Sequence, residues 1–199
     1  RGASEPRQAA SPVESEPNVT TSDALALGGE CRGSPGGSSG VVGDQDMVGV
    51  HMPVSPWSWS RVDVQCADVY TPRTGHTIVH ENGVCYVFGG TDGSSLCSDM
   101  IAYHVDKNMW QGIGAKGEAP TPRRAAQAVV WNGAVWFFGG YTQEGGAYFN
   151  DVFKFEIADS TWKSVKTLGP VAPARKDHSV VLFLDSMLVF GGFDGRDRL

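Results

Sequence analysis

The feature that most constrains how this chain can fold is an internal repeat. Residues 72–110 read PRTGHTIVHENGVCYVFGGTDGSSLCSDMIAYHVDKNMW, and residues 122–162 return as PRRAAQAVVWNGAVWFFGGYTQEGGAYFNDVFKFEIADSTW. A third copy opens at Ala174, ARKDHSVVLFLDSMLVFGGFDG. The landmarks keep their distances. Arg73, Arg123 and Arg175 stand three residues before His76, Ala126 and His178, which stand twelve before Phe88, Phe138 and Phe190. A Gly-Gly pair follows each Phe, and Asp99 and Asp151 each precede a Trp by eleven residues. The period, 50 to 52 residues, belongs to solenoids, propellers and repeat arrays.

Within one period the pattern is extended. Thr77-Ile78-Val79-His80 forms a first segment and Val84-Cys85-Tyr86-Val87-Phe88 a second, separated by Asn82-Gly83. Asn-Gly between apolar runs signals a hairpin, because both turn residues take positive φ. Asn132-Gly133 repeats it, whereas the third copy offers Asp185-Ser186, so its turn is expected to differ. Residues 100–105 make a third segment, and a fourth starts at Trp110. Gly-Gly supplies backbone freedom and close approach where no Cβ fits. Four strands per unit, repeated radially, describe a β-propeller blade.

Taken together, Pro-Arg-x-x-His, Tyr-Val-Phe-Gly-Gly, Asn/Ser-Asp-x-x-x-Tyr/Phe and the Trp resemble the kelch repeat, well over residues 72–199 and poorly over 24–64. The expected fold class is all-β: a partial kelch-type β-propeller of about three and a half four-stranded antiparallel blades. Residues 1–22 are Pro, Ser, Glu and Ala with almost no large apolar side chain, and read as disordered. Residues 23–65 read as a degenerate first blade. There Ala24 to Gly29 mimics a second strand with its Gly pair, a Gly/Ser-rich loop follows, and either Trp57 or Trp59 fills the repeat position. Blades follow at 66–118 and 119–172, then a half blade at 173–199. Propellers close with four to eight blades. Further blades from a longer chain are therefore expected, and the 199 residues made alone are expected to aggregate or stay molten.

A formal charge of −6 without any Lys/Arg run gives no reason to expect a nucleic-acid surface. No apolar run is long enough to suggest a membrane span, and the first residues lack the apolar core of a secretion signal. A cytoplasmic location is expected. Cys31, Cys66, Cys85 and Cys97 include no C-x-x-C pair, and free thiols are expected.

No catalytic, metal or cofactor set stands out. His76 and His178 share a position that Ala126 interrupts, and His76 and His80 lie roughly 13 Å apart along a strand. The repeat Trp residues and the alternating Tyr86/Trp136/Leu188 and Phe88/Phe138/Phe190 read as core between blades, and Asp99 and Asp151 as braces of a turn through backbone N–H groups. Binding groups commonly ride on loops fixed to a rigid scaffold, and the loops after the Gly-Gly pairs vary while the strands agree. The partner-binding candidates are Tyr141, Tyr148, Glu144, Asp92 and Arg196 on those loops, with Tyr141 and Tyr148 as aromatic anchors. Arg73, Arg123 and Arg175 at the rim are candidates for an acidic ligand. Their five donors equally suit a structural task on loop carbonyls or a blade Asp.

Resemblance to kelch proteins implies a protein-interaction module, a scaffold or adaptor whose loops bind another protein. The alternative it implies is a propeller enzyme. Galactose oxidase uses copper with Tyr, His and a Tyr-Cys crosslink, and iron-dependent specifiers carry Glu-x-x-x-Asp-x-x-x-His. No histidine here has Asp at −4 and Glu at −8, so such a site would lie in other blades.

Overall fold

The computed structural model describes residues 59–199 and the backbone of Val48–Val50. The segment expected to be disordered, and most of the degenerate blade, lie outside the described residues. Among the described residues thirteen strands follow in chain order: β1 (Val48–Val50), β2 (Trp59–Arg61), β3 (Thr77–Glu81), β4 (Val84–Phe88), β5 (Met100–His104), β6 (Met109–Gly112), β7 (Lys116–Gly117), β8 (Gln127–Trp131), β9 (Ala134–Phe138), β10 (Val152–Glu156), β11 (Thr161–Val165), β12 (Ser179–Phe183) and β13 (Ser186–Phe190). β3-β4-β5-β6 form one antiparallel blade and β8-β9-β10-β11 the next, while β12-β13 pair alone. The described chain is a partial propeller of the all-β class, and its sheets do not close.

Hairpin chemistry sets the registers. Asn82 and Gly83 sit at φ 49° and 80°, and Asn132 and Gly133 at 51° and 69°, the left-handed values a two-residue turn between twisted strands needs. The third unit turns one residue earlier than its Asp185-Ser186 suggests. Leu184 takes φ 56°, and Ser186 already pairs with Phe183. Trp59 takes the place held by Trp110 and Trp162, since Val50↔Trp59 repeats the Tyr103↔Trp110 and Phe155↔Trp162 pairings.

The core lies between blades. Phe88 and Met100 of one blade pack with Val135, Phe137, Phe153, Phe155 and Trp162 of the next. The Trp162 ring stands 4.9 Å from Phe88 across that seam. Tyr70, Tyr103 and Trp110 make the equivalent aromatic group on the other face of the β3–β6 blade. Of the expected core positions, Phe88, Phe138, Trp110 and Trp162 are buried and Tyr86 and Trp136 half-buried, whereas Phe190 is 83% and Trp59 70% exposed, the latter a correction to its expected core role. Phe190 and Leu188 are therefore corrections to the core expected from sequence. No third strand or following blade covers them among the described residues, and Val181, Phe183 and Leu184 share their exposure.

Gly-Gly pairs carry the seam itself. A Cβ on Gly89 would lie 2.5 Å from the Arg123 carbonyl oxygen, and one on Gly139 would lie 2.7 Å from that of Arg175. With both close approaches open, Gly90 N–H donates to the Arg123 carbonyl at 2.9 Å and Gly140 N–H to that of Arg175 at 2.8 Å. The segment before each inner strand also runs beside its own outer strand, as β7 pairs in parallel with β11 and Gln65 with Met109. Cysteine chemistry departs from expectation in one place: Cys66 is disulfide-bonded, while Cys85 and Cys97 are free.

Candidate functional site: the loop rim

Strand pairing places all the variable loops at one end. Thr77 pairs with Phe88, and Phe88 with Met100. The approach to the first strand of a blade and the loop between its second and third strands must therefore emerge together. Bridges Thr74↔Thr91, Arg124↔Tyr141 and Lys176↔Phe193 join the two in each unit.

Beneath these loops lie the repeat arginines. Arg73 gives Nε–H to the Thr71 carbonyl at 3.0 Å and an Nη1–H to that of Gly89 at 3.3 Å. It then clamps both Asp99 oxygens, at 2.7 and 2.8 Å. Arg123 repeats the pattern on Thr121, Gly139 and both oxygens of Asp151. Its guanidinium also lies 3.8 Å from the Phe149 ring centroid. The Arg side chains of the two pairs are 1% and 4% exposed. Arg73 and Arg123 thus have no surface to offer a partner, which corrects their place among the binding candidates and supports their structural reading. Asp99 and Asp151 are corrected with them: their carboxylates serve the arginines rather than a turn. The Arg73 guanidinium holds the Asp99 carboxyl below the usual aspartate range. Arg175 makes the two carbonyl bonds, to Pro173 and Gly191, and no carboxylate reaches it among the described residues.

Turn-bracing falls to other aspartates. Asp92 Oδ1 accepts from the backbone N–H of Ser94 and Ser95 at 2.8 and 2.7 Å, and Asp194 Oδ1 from those of Arg196 and Asp197 at 2.7 Å. The Ser95 and Ser94 bonds hold the Asp92 carboxyl below its usual range, so the exposed loop keeps its negative charge.

Tyr141 and Tyr148 are brought together. They bridge across their loop with ring centroids 4.9 Å apart, and Tyr148 meets Phe193 of the next unit edge-on at 6.0 Å. Gly195 lies against Tyr148, where an added Cβ would come within 2.8 Å of the ring. Arg124 and Lys176 stand 5.6 and 5.7 Å from the Tyr141 centroid, cations over an aromatic face. Sequence reading missed both, although each directly follows a repeat arginine. Glu144 is exposed at the tip of the Tyr141 loop, and Arg196, with its side chain 91% exposed, stands at the tip of the next. His178 is buried on the seam, edge-on to Phe138 at 5.3 Å. Burial, reinforced by Arg175, pushes its pKa down to about 4, so it is neutral at physiological pH. Among the described residues, no group of three or more His, Cys, Asp or Glu is placed to hold a metal ion. No helix among them is long and apolar enough to cross a membrane.

Blades of four antiparallel strands joined by Gly-Gly seams, with variable loops gathered at one rim, define a kelch-type propeller. A family model described as the KLHDC2/KLHL20/DRC7 Kelch-repeats domain matches residues 36–192, and the chain belongs to the kelch-repeat family. It is similar to the leucine-zipper-like transcriptional regulator 1 homolog of Drosophila melanogaster, 31% identical over 147 residues, which are 71% of this chain and 15% of that protein. Kelch domain-containing protein 3 of Homo sapiens is 31% identical over 121 residues, 60% of this chain and 32% of that protein. The chain spans a third or less of the length of these relatives.

Proposed function

We propose that this chain is a protein-interaction module, a scaffold or adaptor that captures another protein on the rim where the loops emerge. The observation that carries this reading is the contrast between loops and frame. Arg73 and Arg123 repeat the same bonds in successive blades, while above them Thr91, Tyr141 and Phe193 occupy one repeat position with different chemistry. Aromatic side chains held by a rigid support are suited to binding, because little side-chain freedom is lost on capture. The Tyr141–Tyr148–Phe193 group, flanked by Arg124 and Lys176, is that feature here. Within this reading β1 and β2 are the outer half of a further blade. The exposed face of β12–β13 receives further propeller strands, and by the repeat the carboxylate that completes the Arg175 clamp precedes the third strand of the same unit.

The test is capture of partners from an extract by the chain and by a Tyr141→Ala/Tyr148→Ala variant, with β-rich circular dichroism as the folding control. The variant is expected to keep the spectrum and lose the partners. Undiminished capture by a folded variant overturns the reading of this rim.

A further inference from the structure

Between the loops of the two complete blades lies a cleft of about 560 Å3, walled by Ser94, Ser95 and Leu96 from one blade and by Pro122, Gln143 and Glu144 from the next. Among the described residues no Lys, Arg or His lines it, and Glu144 is the one ionisable group that does. Among the described residues no hydrogen bond or ion pair reaches the Glu144 carboxylate. The first wall is held in shape by Asp92, whose Oδ1 also accepts from the Ser94 hydroxyl at 2.9 Å, and Asp92 adds a second negative charge on the same loop. Of the two cations that follow Pro122, Arg123 is clamped to Asp151 inside a blade, and Arg124 stands over the Tyr141 ring.

Such a cleft selects for a long cationic side chain. Leu96 and Pro122 offer apolar surface for an aliphatic stem, and Glu144, the Gln143 amide oxygen and the Ser95 hydroxyl offer acceptors at its end. Many acceptors around one carboxylate suit a guanidinium, with its planar fork of five donors, better than a compact ammonium. We propose that this cleft is the subsite for an arginine side chain in an extended segment of the bound protein. The proposal rests on the reading of this rim as the interaction surface and adds the chemistry of what enters beside Tyr141. It also assigns a task to Glu144, which no contact within the described chain explains.

The experiment uses the full 199-residue chain, immobilised at low density so that chains do not meet, and a blocked probe peptide, acetyl-Gly-Ser-Arg-Ser-Gly-amide, passed over it. Its control replaces the Arg by Glu. Saturable millimolar binding of the Arg probe is expected, with none of the Glu probe. Glu144→Gln should weaken it about fivefold, the loss of one charge-assisted contact at an exposed site. Equal binding of both probes, no binding of either, or unchanged affinity in Glu144→Gln overturns the arginine subsite. In those cases the double Tyr variant's loss of partner capture still upholds the interaction module, so the two failures are told apart.

Discussion

A charged side chain as deeply buried as Arg73 would be costly if left without a counter-charge, and each such arginine in a complete blade has a carboxylate clamped on two nitrogens. The burial is one-sided: the Arg73 side chain is 1% exposed and that of Asp99 44%. Removing the acid therefore leaves a buried cation with only the Thr71 and Gly89 carbonyls, whereas an ordinary surface pair loses little. Asp99→Asn should lower stability by about 1–3 kcal/mol at pH 6, read as a shift in the urea midpoint. The pH dependence has a definite sign. Asp99 titrates lower in the folded chain than unfolded, so its contribution is present above the unfolded value of about 3.9 and fades as pH falls through the lower folded value. The gap between wild type and Asp99→Asn should therefore narrow from pH 6 to pH 3. A constant gap, or one under about half a kcal/mol at pH 6, would reduce the clamp to a surface ion pair. The clamp's donor was legible from sequence and its acceptor only in part. Arg73 and Asp99 lie 26 residues apart, a pairing that no local pattern reveals, so the aspartate reads alone as a turn residue.

Elements were the most legible level, because a strand's period of two and the Asn-Gly turn are local signals. β4 falls on the expected residues 84–88, and β3 and β5 deviate by one residue at an end. What local signals cannot show is the register between sheets. β7 is two residues of contact beside β11, and nothing in Lys116-Gly117 announces it. The Gly-Gly pairs were rightly read as points of close approach, but only the fold shows that the approaching backbone is the next blade's arginine segment. This permits a matched test. Gly89 and Gly191 occupy one repeat position at φ 70° and 67°, yet a Cβ on Gly191 would meet nothing nearer than Leu199 O at 3.8 Å. Gly191→Ala should cost only the left-handed strain, about 1–2 kcal/mol. Gly89→Ala adds a collision with the Arg123 carbonyl at 2.5 Å and should cost roughly 3 kcal/mol or more. Equal losses in chemical denaturation would mean that the seam yields freely and does not hold the blades in register.

At the scale of the molecule, blades cannot bury both faces alone, and the described chain has a covered side and a bare one. The residue at one repeat position passes from 2% exposed (Phe88) through 5% (Phe138) to 83% (Phe190). The side chains are all Phe, so the difference is neighbourhood and not sequence. This is why the core could be read position by position yet fails at the last unit. Val181, Phe183 and Leu188 are each at least half exposed beside Phe190, and among the described residues β13 has no strand beyond it, so apolar surface and unpaired backbone lie together. Such a sheet edge is a ready template for a second chain. The isolated 199-residue chain should therefore self-associate through this face. Sedimentation should show association that weakens when Leu188→Lys and Phe190→Ser are made together, while Trp162 fluorescence, reporting the covered seam, stays unchanged. Association of the same strength in that variant would move the contact elsewhere and remove the reason for expecting another blade at β12–β13.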